Sequence, residues 1–214
     1  MRIRDAATLI IVRDKREVLL GVRSAGHVFM PHLYVFPGGR VDPGDSRVPC
    51  PKALRPDVES KLVKSVSKAR ARALAMTAVR ETFEETGLIV GDRTQVPLRT
   101  RSPHWKPFFD LDRVPALHRL DYVGRAITPP NRVRRYDARF FMVDAQHVCG
   151  ELSGNGELED LRWVALHAAH RLALSPITEL MLELLQRRIT GTPEDVDKVP
   201  FFRELNGREL IEYE

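Results

Sequence analysis

Apolar residues run almost unbroken from Ala6 to Val12 and return from Val18 to Val22, with Asp14-Lys15-Arg16 between them. Runs of this length, bounded by turn residues, predict two strands, 6–13 and 17–23, joined as a hairpin. A shorter run at 33–36 is closed by Pro37-Gly38-Gly39, a strong break. Residues 40–45 are turn-rich. The stretch 46–68 changes character: Pro49, Pro51 and Pro56 are followed by Lys61, Lys64 and Lys68. It reads as an insertion, irregular at first and then starting a helix early. Residues 69–86 hold strong helix formers and no Gly or Pro, and Gly87 is placed to cap the helix at its C-terminus. Residues 88–90 precede an ill-defined stretch through Asp112. Strands are expected at 122–128 and 136–143, around a Pro129-Pro130-Asn131 turn, and at 158–164 after Ser153-Gly154-Asn155-Gly156. Ser175 and Pro176 open a terminal helix reaching Arg188. From Ile189 to Glu214 no period is evident, and the chain shows no internal repeats.

The predicted helix at 69–86 carries the most informative chemistry. Its end reads Arg80-Glu81-Thr82-Phe83-Glu84-Glu85-Thr86-Gly87-Leu88. Positions i, i+3 and i+4 share a helix face, so Glu81, Glu84 and Glu85 lie side by side. Ala71, Leu74, Ala75, Ala78 and Thr82 occupy another side and can face a core. Three adjacent carboxylates repel one another, which disfavours ionisation. A hard divalent cation relieves this, because Mg²⁺ and Mn²⁺ prefer oxygen ligands. The plain alternative is a solvated acidic face, the common fate of charge runs.

The surrounding pattern favours the metal. The chain resembles the Nudix hydrolases, whose box is written G-x5-E-x7-R-E-U-x-E-E-x-G-U with U apolar. Arg80, Glu81, Glu84, Glu85, Gly87 and Leu88 match its second half, with Thr82 at the first U. Gly39 matches the first glycine, and Asp45 stands where the family has glutamate. The box is split: 34 residues lie between Asp45 and Arg80, where the family has seven. The resemblance covers about residues 6–188 and is specific at 36–45 and 80–88.

It implies an α+β fold, an α/β/α sandwich with a mixed sheet and a loop-helix-loop catalytic motif. It also implies hydrolysis of a diphosphate with Mg²⁺ or Mn²⁺ as cofactor. By resemblance, Glu84 and Glu85 are the principal metal ligands. Glu81 is a further ligand or polarises water, and the Gly39 carbonyl completes the shell. Arg80 orients the carboxylates, and Asp45 supports it with a side chain one methylene shorter than the family's. The general base is left open, with Glu157 and Glu159 as candidates and ordinary loop charges as the alternative. One expected domain spans 1–190, including the 46–68 insertion, and 191–214 forms a C-terminal extension.

Finer features resemble the peroxisomal coenzyme A diphosphatase branch. They are Leu19-Leu20-Gly21-Val22-Arg23-Ser24, Phe29-Met30-Pro31, the long insertion in the box, Thr128-Pro129-Pro130 and Arg135-Tyr136-Asp137-Ala138-Arg139-Phe140-Phe141. The branch implies coenzyme A or its thioesters as substrate. ADP-ribose or another nucleoside diphosphate conjugate is the first alternative, and a non-catalytic ligand-binding regulator the second. Arg23, Phe29 and Arg139 are candidate substrate contacts, although a charge ladder of Arg135, Asp137 and Arg139 along one strand face is the favoured reading of Arg139. His104 and His118 are isolated in sequence and read as structural.

Composition narrows the classes. No apolar run approaches the roughly 18 residues that span a bilayer. The last residues, Ile211-Glu212-Tyr213-Glu214, are no peroxisomal address. Two cysteines, Cys50 and Cys149, suit a reducing compartment, and the cytoplasm is expected. Net charge is +5, carried mainly by arginine, whose planar fork suits phosphate. A GC-rich genome produces the same bias. There is no basic tract, zinc-finger spacing or helix-turn-helix signature. The expected partner is therefore a small-molecule diphosphate, with neither nucleic acid nor membrane, and a homodimer is an admissible assembly.

Overall fold

A computed structural model describes residues 2–26, 31–191, 197–205 and 207–214. The first apolar runs form β1 (Arg4–Arg13) and β2 (Glu17–Arg23), paired antiparallel. Asp14 and Lys15 take left-handed backbone angles, φ 52° and 54°, as tight hairpins of right-twisted strands require. Strand β1 lies inside a mixed sheet. Its second neighbour is β8 (Tyr136–Asp144), which runs parallel to it from Arg4–Tyr136 to Val12–Asp144. Ala7, Leu9 and Ile11 enter one core and Ile10 and Val12 the other, on the opposite sheet face. Burial on both faces explains why the run is apolar throughout instead of alternating.

Helix α2 (Lys68–Thr86) covers the first face. Ser67 caps its start by accepting from the Arg70 N–H, and Gly87 ends it at φ 72°. Helix α4 (Pro176–Thr190) covers the second face through Met181, Leu182 and Leu185. This is the helix-sheet-helix layering expected from sequence. Strand β3 (Tyr34–Val35) pairs with β2, and β9 (Leu158–Ala165) lies along the whole of β2. Strand β7 (Asp121–Ile127) pairs antiparallel with β8.

Several elements lack a sequence signal. Gly38–Arg40, inside the segment read as a break, form the short strand β4 against Ala6, Ala7 and Thr8 of β1. The ill-defined stretch holds β5 (Gly91–Arg93) and the one-turn helix α3 (Lys106–Phe109), and just after it comes β6 (Arg113–Pro115), which pairs with β5. The aperiodic tail holds β10 (Pro200–Leu205) and β11 (Arg208–Tyr213), a hairpin that extends the sheet by pairing β10 parallel to β7.

The 46–68 segment folds onto the α2 side of the sheet. It contains α1 (Pro56–Leu62), and Val48, Leu54, Val58 and Leu62 are buried in the same core as α2. Arg55 donates to the His118 and Leu120 carbonyls and pairs with Asp121. Arg72 on α2 donates to the Ser46 and Val48 carbonyls. The extra residues thus leave and return beside the helix. No helix among the described residues is long and apolar enough to cross a membrane.

Candidate active site

The carboxylate face of α2 meets β4 and the turn after it. Arg80 is the hub. Its Nε and Nη2 donate to both oxygens of Asp45, at 2.9 and 3.1 Å, and Nη2 also reaches the Arg40 carbonyl at 2.9 Å. Nη1 donates to Glu81 Oε1 and Glu84 Oε2, each at 2.8 Å. Every nitrogen of the guanidinium is engaged, and three carboxylates around a buried guanidinium raise its pKa further despite burial.

Asp45 has no exposed surface. Besides Arg80 it accepts from Thr77 Oγ1 at 2.8 Å, Trp105 Nε1 at 2.7 Å and the Asp42 N–H at 2.9 Å. The Asp42–Asp45 turn is closed by the Asp45 N–H donating to the Asp42 carbonyl at 3.0 Å. A buried anion with this many donors is satisfied on all sides.

Gly39 lies against Glu81. A Cβ built on Gly39 would stand 2.5 Å from the Glu81 carboxyl carbon, so only glycine permits this approach. Glu85 is 4% exposed, and its Oε2 accepts the Gly38 N–H at 2.7 Å. Burial pushes the Glu81 carboxyl up to about 7, with the charges of Glu84 and Glu157 adding to the rise and Arg80 opposing it. Burial also holds Glu85 well above the carboxylate range, together with the Glu81 charge, against the Gly38 N–H and Arg23. These buried, mutually repelling oxygens are a hard donor set suited to a divalent cation. Among the described residues, no three acidic, His or Cys side chains already converge as a metal shell.

The remaining candidates divide. Arg23, at the end of β2, stands within electrostatic reach of Glu85 and Glu157, and burial lowers its pKa. Glu157 is exposed beside this group and acts on Glu81, Glu85 and Arg23. Glu159 sits in β9 opposite Val22, exposed, and is not among the leading charges on those residues. Phe29 lies outside the described residues.

Arg139 is not brought to the carboxylate face. It is wholly buried in β8, paired with Asp137 and donating to Ser65 Oγ at 3.2 Å. Asp137 also takes a two-pronged contact from Arg125 on β7, at 2.9 and 2.8 Å, and Arg125 continues to Glu214 at 2.6 Å. These pairs tie β7, β8, the 46–68 segment and the end of the chain into one network.

Two residues to which sequence assigns no role in the site, Trp105 as core or rim and His104 as structural, lie against its carboxylates. Trp105 is buried and holds Asp45, and His104 Nδ1 lies 3.2 Å from Glu84 Oε1. Neither carries a local signal, since both come from the aperiodic stretch before α3.

A NUDIX domain model matches residues 69–186, more than half of the chain, starting within α2 and so leaving 36–45 outside the match. Among solved structures, a NUDIX hydrolase from Alicyclobacillus acidocaldarius is 26% identical. It covers 89% of this chain and 96% of its own, with a TM-score of 0.66. A mutator MutT protein from Bacillus halodurans, 15% identical with TM-score 0.52 over 99% and 97% of the two chains, shares the fold. So does the ORF135 protein of E. coli, 18% identical with TM-score 0.52 over 90% and 95%. Comparison with curated proteins finds no match.

Proposed function

Because this chain belongs to the NUDIX domain family, we propose that it hydrolyses the diphosphate of coenzyme A or an acyl-coenzyme A, using a divalent metal held by α2. The chain is a Nudix hydrolase acting on phosphoric anhydrides, and its family points to nucleoside diphosphate-linked compounds as the substrate class. The observation that carries the site is the meeting of Glu81 with Gly39 and of Glu85 with Gly38, with Glu84 joined to Glu81 through Arg80, which Asp45 holds.

Mg²⁺ or Mn²⁺, when bound, would neutralise phosphate charge and lower the pKa of the attacking water. Glu84 and Glu85 would be its main ligands, with Glu81 and the Gly39 carbonyl beside them. The protein's own contribution is positional. Arg80 fixes Glu81 and Glu84 relative to each other, and the Gly38 N–H fixes Glu85. Glu157, exposed at the edge of this group, is the better placed of the two candidate bases to accept the water's proton. Arg23 supplies positive charge on the same side for a phosphate oxygen.

The substrate reading rests on the branch-like segments, above all 128–130 and 135–141, and on the insertion at 46–68. Incubation with coenzyme A, an acyl-coenzyme A, ADP-ribose and diadenosine polyphosphates under Mg²⁺, with products identified, tests it. Release of 3′,5′-ADP and 4′-phosphopantetheine from coenzyme A is expected. Turnover of ADP-ribose with coenzyme A and its thioesters left intact would overturn the substrate while leaving the hydrolase in place.

A further inference from the structure

His104 reaches Glu84 from a segment with its own anchor. Trp105 is fully buried, edge-on to Phe108 at 5.3 Å between ring centres, and its Nε1 donates to Asp45 at 2.7 Å. That contact fixes the backbone one residue from His104. The His104 side chain stays 53% exposed, with Nδ1 3.2 Å from Glu84 Oε1. An ionised carboxylate only accepts, so Nδ1 carries the hydrogen here. The other oxygen, Oε2, accepts from Arg80 Nη1 at 2.8 Å.

Both oxygens of Glu84 are therefore held by donors, and both donors trace back to Asp45. Arg80 grips Asp45 directly, and Trp105 grips it while placing His104. We propose that His104 is a positioning residue that orients Glu84 for a divalent cation. The proposal rests on the reading of Glu84 as a metal ligand. A carboxylate pinned through one oxygen can rotate about its terminal torsion. Pinned through both, its plane is fixed, and with it the directions of its remaining lone pairs. Donors behind metal-ligating groups typically contribute about 10–100-fold in metal affinity or activity.

The test is Mn²⁺ binding by the substrate-free protein, followed by the paramagnetic resonance of free Mn²⁺. His104→Ala is expected to weaken binding about tenfold, the lower end of that range, with an unchanged unfolding midpoint in the absence of metal. His104→Asn keeps an N–H near the Nδ1 position and should recover most of the loss. Wild-type affinity in His104→Ala overturns the proposal. Equal losses in both variants also overturn it, because the effect would then come from the loop and not from the donor. Absence of Mn²⁺ binding by the wild type would remove the metal reading of Glu84, and this proposal with it.

Discussion

Asp45 and Arg80, 35 positions apart, form a two-pronged ion pair from which water is excluded. Asp45 sits before the 46–68 segment and Arg80 after it. The extra chain departs and returns without parting them, since its own apolar residues are buried beside α2. The pair aims the rest of the guanidinium at Glu81 and Glu84.

Removing one partner of a buried ion pair strands the other. Asp45→Asn is expected to cost roughly 3–5 kcal/mol of stability, the range for such losses. Its amide nitrogen would also turn a donor toward Arg80 and toward Trp105 or Thr77, according to which oxygen it replaces. Urea unfolding measures the cost, and a loss under about 1 kcal/mol, the scale of an exposed pair, would contradict the buried network.

Glu84→Gln and Glu85→Gln should each lower turnover by about a hundredfold or more, since a single electrostatic contact to the transition state is worth about 10²–10³ in rate. Both keep side-chain volume, so the circular dichroism spectrum should not change. Near wild-type turnover of both variants at saturating Mg²⁺ would rule out the site.

Adjacent glycines should respond differently to one methyl group. At Gly39 the added Cβ meets the end of the Glu81 side chain, which can swing away. Gly39→Ala should therefore fold and lose activity. At Gly38 the Cβ would meet backbone, the Ala7 carbonyl oxygen at 2.6 Å and Thr8 Cα at 2.7 Å. Gly38→Ala should cost about 1–3 kcal/mol, as overpacking does. Thermal unfolding and turnover of the two variants separate the effects, and a reversed order would refute the packing described.

Acid should weaken the β7–β8 network. Burial alone would raise the Asp137 pKa, but hydrogen bonds and charge from Arg125 and Arg139 outweigh it and hold the carboxyl below its ordinary value. A depressed carboxylate contributes stability that is complete above the unfolded pKa of about 4. That contribution is lost as pH falls through the lower folded value. Asp137→Asn should be less stable than wild type at neutral pH, and the gap should narrow below about pH 4. Urea midpoints against pH would show it, and a constant gap would exclude the linkage.

Local pattern determined much of this protein. The strands at 6–13, 17–23, 122–128, 136–143 and 158–164 and the helices at 69–86 and 176–188 are recoverable within a residue or two. Each buries a face whose spacing is written in consecutive residues. The alignment of Glu81, Glu84 and Glu85 is equally local, because helix geometry alone brings i, i+3 and i+4 together. Tertiary structure decided what meets them. The contacts of Asp45 with Arg80, Gly39 with Glu81, Trp105 with Asp45 and His104 with Glu84 join segments far apart in the chain, and no periodicity encodes such pairs. Strand β4 is legible only once β1 offers its edge to two glycines. The hairpin of β10 and β11 exists because β7 offers a parallel edge and because Tyr122 and Arg125 bind Glu214. Arg139 carries the same lesson. Its fork suits a phosphate, yet its position on an inward face commits it to Asp137 and Ser65, because a buried cation must be paired where it lies.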